Sequence, residues 1–110
     1  MKFDEYQQQA LTTAKFNDDE FRDMMHWVLG VVGESGEIAE KFKKIIRDKN
    51  GIVSEEDRAE LGKEIGDVLW YLAVLAQQLG LSFGDIAGAN LAKLKSRKQR
   101  GVIGGSGDNR

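Results

Sequence analysis

The chain has no cysteine and no proline, only one histidine, and no apolar stretch as long as a membrane span. Without cysteine there is no disulfide framework, no thiolate nucleophile and no Cys-ligated zinc, a composition compatible with the cytoplasm. A lone histidine, His26, leaves a ferritin-like di-iron site unsupported, because that site takes an ExxH from each of two helices. The start, Met1-Lys2-Phe3-Asp4-Glu5, offers no apolar run for a signal peptide. Nothing later approaches the roughly 20 apolar residues of a span, so the expectation is a soluble protein without a membrane partner. Neither sign of charge is in excess: 16 basic against 18 acidic residues leave a net charge of −2, which argues against a partner that is a nucleic-acid polymer.

Strand-like alternation is not sustained anywhere, whereas a helical period recurs throughout, so the expected class is all-α with about four helices. A first helix is expected from Asp4 to about Lys15, with Asn17-Asp18 as punctuation. The second runs from an N-cap at Asp18 or Asp19 to about Asp48, with Asn50-Gly51 as the C-cap. Its apolar residues fall into two sets. Met25, Val28, Leu29, Val32, Ala39, Phe42 and Ile46 form the expected core stripe, and Trp27, Val31, Ile38 and Ile45 lie well away from it. A helix apolar on two faces is expected to bury one against its own chain and the other against a second subunit.

Ser54 and Asp57 form a capping pair that opens a third helix, ending near Leu79 with Gly80 as C-cap. Its expected core stripe is Leu61, Ile65, Val68, Leu69, Leu72, Leu75, Ala76 and Leu79. Ser82 and Asp85 open a fourth helix reaching about Lys98, with Phe83, Ile86, Ala87, Leu91 and Leu94 facing inward. This gives one domain over residues 1–98 and a glycine-rich tail over 99–110, expected to be mobile without ligand. At 110 residues a lone helical hairpin is marginal, so a homodimer or homotetramer is expected to supply the missing burial.

Two short acidic runs, Glu34-Ser35-Gly36-Glu37 and Glu64-Ile65-Gly66-Asp67, carry the chemistry. Each places two carboxylates one helical turn apart on one face. A single ExxE is explained by a solvated helix face. Two of them inside apolar segments are less easily explained so, particularly with Gly30, Gly33, Gly36, Gly62 and Gly66 nearby, because glycine costs about 1 kcal/mol in a helix interior relative to alanine. On antiparallel helices the four acids can converge, and mutual repulsion then favours a hard cation such as Mg²⁺, with Mn²⁺ as substitute.

The order ExxE, 26 intervening residues, ExxD, in the contexts GVVGESGEIAEKFKK and ELGKEIGDVLWYLAVLA, resembles the MazG-like all-α nucleoside triphosphate pyrophosphohydrolases, a superfamily that includes the dimeric dUTPases and dCTPases. The resemblance runs from about Phe21 through ANLAKLKSR to the closing RGVIGGSGDNR. It implies that Glu34, Glu37, Glu64 and Asp67 hold Mg²⁺ and carry the catalysis. It also implies hydrolysis of a nucleoside triphosphate, a dNTP being favoured, to the monophosphate and pyrophosphate in nucleotide-pool house-cleaning, at a site built partly at a subunit interface. The residue before the first motif acid, acidic in some relatives, is Gly33 here, which leaves the water-activating base unassigned. Glu40 and Glu60, one turn from motif acids, read either as contributors to the site's surroundings or as surface charges, the latter favoured.

On the fourth helix Asn90, Lys93 and Arg97 repeat at three and four. By spacing alone they are a solvated basic end that complements the helix dipole; the NxxKLxxR match implies contact with the triphosphate. Arg100, and more weakly Arg110, can close over it from the tail. Trp27, Trp70 and Tyr71 read first as core aromatics, and Trp27, on the flank of Glu34, is the better base-contact candidate of the two tryptophans. The rival readings are a non-catalytic helical oligomerisation module and a nucleotide-binding regulator without hydrolysis.

Overall fold

The computed structural model describes all 110 residues as four helices with no strand: α1 (Phe3–Leu11), α2 (Glu20–Lys49), α3 (Glu55–Gln78) and α4 (Phe83–Gln99). The helix ends follow from local chemistry. The Asp19 side chain accepts from the Arg22 amide to start α2, and Asn50, in the left-handed conformation at φ 57°, ends it ahead of Gly51 at φ 77°. Ser54 and Asp57 complete a reciprocal capping box on α3, and Ser82 caps α4 by accepting from the Asp85 amide at 3.1 Å. α1 is shorter than the expected Asp4–Lys15 helix. The hydroxyls of Thr12 and Thr13 donate back to the carbonyls of Gln9 and Ala10 at 2.6 and 3.0 Å, and these local bonds compete with further helix.

α2 and α3 form an antiparallel hairpin, the most extensive packing in the chain. The seam of α2 is Trp27, Val31, Glu34, Ile38, Lys41 and Ile45; that of α3 is Asp57, Leu61, Glu64, Val68, Tyr71, Leu75 and Gln78. Both repeat at alternating four and three, the spacing of left-handed helix pairs. Cross-contacts fix the register: the Trp27 indole N–H donates to Gln78 Oε1 at 2.6 Å, and at the other end Lys49 pairs with Asp57 at 2.8 Å. Between them Gly30 lies under the Tyr71 ring, where a Cβ would overlap Cδ1, Cε1 and Cζ. Gly30→Ala is therefore expected to lower stability by about 1–3 kcal/mol through overpacking, despite alanine's helix propensity, as a fall in urea midpoint. Gly33, Gly36, Gly62 and Gly66 face open space within this chain, so close helix approach explains only Gly30.

The hairpin corrects the expected core. The second apolar set of α2, Trp27, Val31, Ile38 and Ile45, is the one that packs within the chain. The expected α2 core stripe is open, with Leu29 63 %, Val32 65 % and Ile46 70 % exposed, alongside Met25, Val28, Ala39 and Phe42. On α3, Leu61 and Ala76 are buried and Val68, Leu69 and Leu75 half-buried as expected, but Ile65, Leu72 and Leu79 are exposed, and Ala73 and Val74 take their place. On α4, Phe83 is buried, whereas Ile86, Leu91 and Leu94 face out. Only eleven residues are buried, and the radius of gyration is 17.0 Å against about 13 Å for a compact chain of this length.

Polar clamps seat α1 at the junction of α3 and α4. The buried Gln7 amide donates to the carbonyls of Ala73 and Leu81 at 3.2 and 3.0 Å and accepts from the Phe83 amide at 3.0 Å. Asp4 Oδ1 accepts from the Gly84 amide and the Ser82 hydroxyl, both at 2.8 Å, and these bonds, the amide's first, hold its carboxyl below the ordinary range. At the hairpin loop the Lys49 ammonium, then the Ser54 amide and hydroxyl, hold the Asp57 carboxyl down at about 2 from its ordinary 3.8. This contribution to stability is complete above the unfolded value and is lost as pH falls through about 2. Thermal unfolding between pH 5 and 2 is expected to show wild type losing its advantage over Asp57→Asn across that window; a constant difference between the two would refute the assignment.

Candidate functional site

Midway along the α2–α3 hairpin the seam changes from apolar to charged. Glu34 from α2 meets Glu64 and Asp67 from α3, and one carboxylate oxygen from each lies within 4.8 Å of the others. Glu34 and Glu64 are half-buried and Asp67 is open to solvent. Helical geometry produces the meeting: Glu34 lies on the same flank as Trp27, seven residues earlier, while Glu64 and Asp67 lie one turn apart on the facing helix. The bond shared with Glu64, then burial, then the charges of Asp67, Glu64 and Glu37 raise the Glu34 carboxyl above its ordinary value. Like-charge repulsion among closely placed carboxylates favours the protonated form of Glu34 in the absence of a cation. An all-oxygen donor set with converging negative charge fits a hard divalent cation.

Glu37, one turn along α2, is exposed and stands outside the group of three, reaching Glu34 through its charge. Tyr6 of α1 is within the field of the same acids: burial first, and the charge of Asp67 second, push its hydroxyl above its ordinary value. Glu40 and Glu60 are taken up by ion pairs on their own helices, with Lys43 and Lys63 respectively, each at 2.9 Å.

One cation reaches the motif acids. Lys41 Nζ lies 3.6 Å from Glu64 Oε1, and the other ion pairs of the chain involve none of the four. Lys41 was not singled out by the motif. Its signal was present nonetheless, since it lies seven residues from Glu34 and so on the same line of α2.

The aromatic cluster lies one to two turns from the acids. Trp27 is 2 % exposed, enclosed by Phe16 and Trp70 at ring-centroid separations of 5.6 and 5.8 Å, with its N–H committed to Gln78. It is a core side chain of this chain, the first of the two readings its sequence allows. The outer aromatic surface belongs to His26, which stacks on Trp27 at 4.8 Å and 16° and is itself exposed, and to half-buried Tyr71.

α4 makes no packing contact with α2, and its basic residues pair with Asp108 and with none of the three acids. Asn90 is exposed. Lys93 pairs with Asp108 Oδ1 at 2.8 Å, and Arg97, buried at 5 % exposure, donates through Nη2 to the Asp108 carbonyl and carboxylate. Arg97 Nε is buried without a partner. The tail follows a turn-rich course held by Arg110, whose guanidinium donates to the carbonyls of Val102, Ile103, Gly104 and Gly107, while Arg100 Nη2 donates to the Arg110 carbonyl at 2.8 Å. Glycines at positive φ, Gly101, Gly105 and Gly107, make these turns possible.

No helix is long and apolar enough to cross a membrane. Residues 22–102 match the model of the MazG nucleotide pyrophosphohydrolase domain, a span that contains the three converging acids, Glu37 and the basic residues of α4. The chain is also similar to the Gene 37 protein of Mycobacterium phage L5, 48 % identical over 114 positions that cover 100 % of each chain. No solved structure matches the chain. With four helices, an antiparallel acidic hairpin and a domain match over most of its length, the chain belongs to the MazG nucleotide pyrophosphohydrolase family.

Proposed function

We propose that the protein hydrolyses nucleoside triphosphates, deoxynucleotides in particular, to the monophosphate and pyrophosphate, with Mg²⁺ held by Glu34, Glu64 and Asp67 and with Glu37 as a fourth acid. The observation that carries this reading is the convergence of three carboxylates from two helices within 4.8 Å in a chain of this family. When bound, the ion supplies charge neutralisation and orientation for the phosphates. The chain's own residues do the rest. The carboxylates orient the attacking water and accept its proton as the new P–O bond forms and the bond between the α- and β-phosphoryl groups breaks. Exposed His26 and half-buried Tyr71 offer aromatic surface to a base, on the side of the site away from Lys41.

Lys93, Arg97 and Arg100, with Asn90, are proposed to contact the triphosphate of a site whose acids belong to another subunit. What supports this is the separation of α4 from α2 within one chain, and the open apolar stripe of α2 that a homodimer or homotetramer would cover. Asp108 and the Arg110 carbonyl then occupy the cations until substrate displaces them.

A panel of canonical and modified NTPs and dNTPs, assayed with Mg²⁺ or Mn²⁺ for monophosphate and pyrophosphate, tests the reaction, and light scattering on the same sample gives the assembly. Metal-dependent release of pyrophosphate by a dimer or tetramer is the expected result. Saturable nucleotide binding without product would overturn hydrolysis in favour of a regulatory module, and a monomer would overturn the shared site.

A further inference from the structure

Lys41 lies at the charged centre of the hairpin and has no place in the motif. We propose that it is a phosphate-positioning residue: in the free chain its ammonium covers Glu64, and when a triphosphate binds it moves to the outer phosphate oxygens, those of the departing pyrophosphate. This deepens the hydrolase reading and rests on it for the identity of the ligand.

Position comes first. Seven residues from Glu34 at about 100° each brings Lys41 to within about 20° of the same direction, two turns along α2. Both side chains therefore face α3, with Glu64 between them: a Glu34 carboxylate oxygen lies within 4.8 Å of one of Glu64 on one side, and Lys41 Nζ stands 3.6 Å from Oε1 on the other. That distance exceeds the roughly 2.7–2.9 Å of a charge-assisted hydrogen bond, so the pair is held by charge without a directed bond. Its side chain is one-third exposed and can reorient.

Beyond Lys41 there is room. A cavity of about 300 Å³ opens between α2 and α3, lined by three lysines, Lys41, Lys44 and Lys49, and three acids, Asp48, Asp57 and Glu60, over a floor of Ile45 and Leu61. Lys49 pairs with Asp57 at 2.8 Å and Lys44 with Glu40 at 4.0 Å, so of the three lysines Lys41 alone reaches a motif acid. An ammonium on a flexible four-carbon stem suits such an exchange better than a fixed guanidinium fork.

The charges give the proposal a sign. A divalent cation arriving alone must displace Lys41 from Glu64, so the ammonium opposes it. A polyphosphate arriving with the cation brings several negative charges, and the displaced ammonium then has a partner. Removing the charge should therefore strengthen binding of the bare ion and weaken binding of the phosphate. A merely structural ion pair would give the first effect alone, so the loss of pyrophosphate affinity is what decides.

The test is calorimetric and needs no turnover. Wild type, Lys41→Met, Lys41→Gln and Lys41→Arg are titrated with Mn²⁺ alone, and then with pyrophosphate at saturating Mn²⁺. Both neutral variants are expected to bind Mn²⁺ about threefold more tightly and pyrophosphate at least about tenfold more weakly, with Lys41→Arg restoring most of the pyrophosphate affinity. Pyrophosphate affinity within twofold of wild type in whichever neutral variant folds would overturn the proposal, whatever the change in melting temperature. If wild type hydrolyses a nucleotide and the neutral variants bind pyrophosphate normally, this inference alone falls. If wild type neither turns over nor binds pyrophosphate, both readings fall.

Discussion

Asp67→Asn is expected to abolish metal-dependent pyrophosphate release, with a loss of at least about 100-fold in kcat/KM, while leaving the fold and the melting temperature of the metal-free protein nearly unchanged. Asp67 is the exposed member of the three converging acids, so an amide in its place removes a charge without leaving a buried polar atom unpaired. Removing one carboxylate also relieves repulsion on Glu34, whose carboxyl Asp67 helps to raise, and the metal-free protein should if anything gain stability. The diagnostic pattern is a divergence of two melting curves. Mg²⁺ should raise the wild-type transition and have little effect on the variant. Glu37→Gln makes the complementary measurement, because Glu37 stands outside the group of three in this chain. A loss as large as that of Asp67→Asn would make it a full member of the site. Retention of activity by Asp67→Asn would defeat the metal-site reading itself.

Trp27→Ala is expected to cost about 3–5 kcal/mol, a large share of the roughly 5–15 kcal/mol that holds a typical domain together. The indole is the largest fully buried side chain, lies edge-on to Trp70 and Phe16, and donates to Gln78 across the hairpin. Its removal leaves a cavity at the α2–α3 seam and an unpaired amide on Gln78. Trp27→Phe should keep most of the packing and lose mainly that hydrogen bond, about 1 kcal/mol. Urea unfolding at fixed protein concentration should show a lower midpoint with an unchanged slope. Unchanged stability together with a raised KM for nucleotide would instead give Trp27 a substrate-contact role.

The two tryptophan readings show where sequence reasoning reached its limit. Trp27 lies on the same flank as Glu34, and that neighbourhood suggested a base contact, but the same flank is the seam that α3 covers. The core stripes failed for a related reason. Periodicity favours the face with the fewest charges, and the face of α2 that packs on α3 carries Glu34 and Lys41 at its centre. The cleaner stripe, through Leu29, Val32 and Ile46, is left open by this chain. A charged group in mid-seam looks like solvent-facing polarity until the partner helix shows that its charge is met by another.

Helix class and, apart from the end of α1, helix ends were legible because their determinants are local. Ser54 with Asp57, Ser82 with Asp85 and Asn50 before Gly51 act within one turn of chain, through hydrogen bonds whose partners are fixed by sequence distance. The acidic spacing was legible for the same reason, since three residues make one turn in any helix. Which helix faces which, that Glu34 meets Glu64 and Asp67, that Lys41 stands against Glu64, and that α4 keeps its cations apart from α2 depend on register and crossing between segments 20 to 60 residues apart. The sequence by itself determined an all-helical chain with two pairs of carboxylates. Only the tertiary structure decided their meeting, because long-range packing is selected by the sum of many weak contacts and by no single local bond.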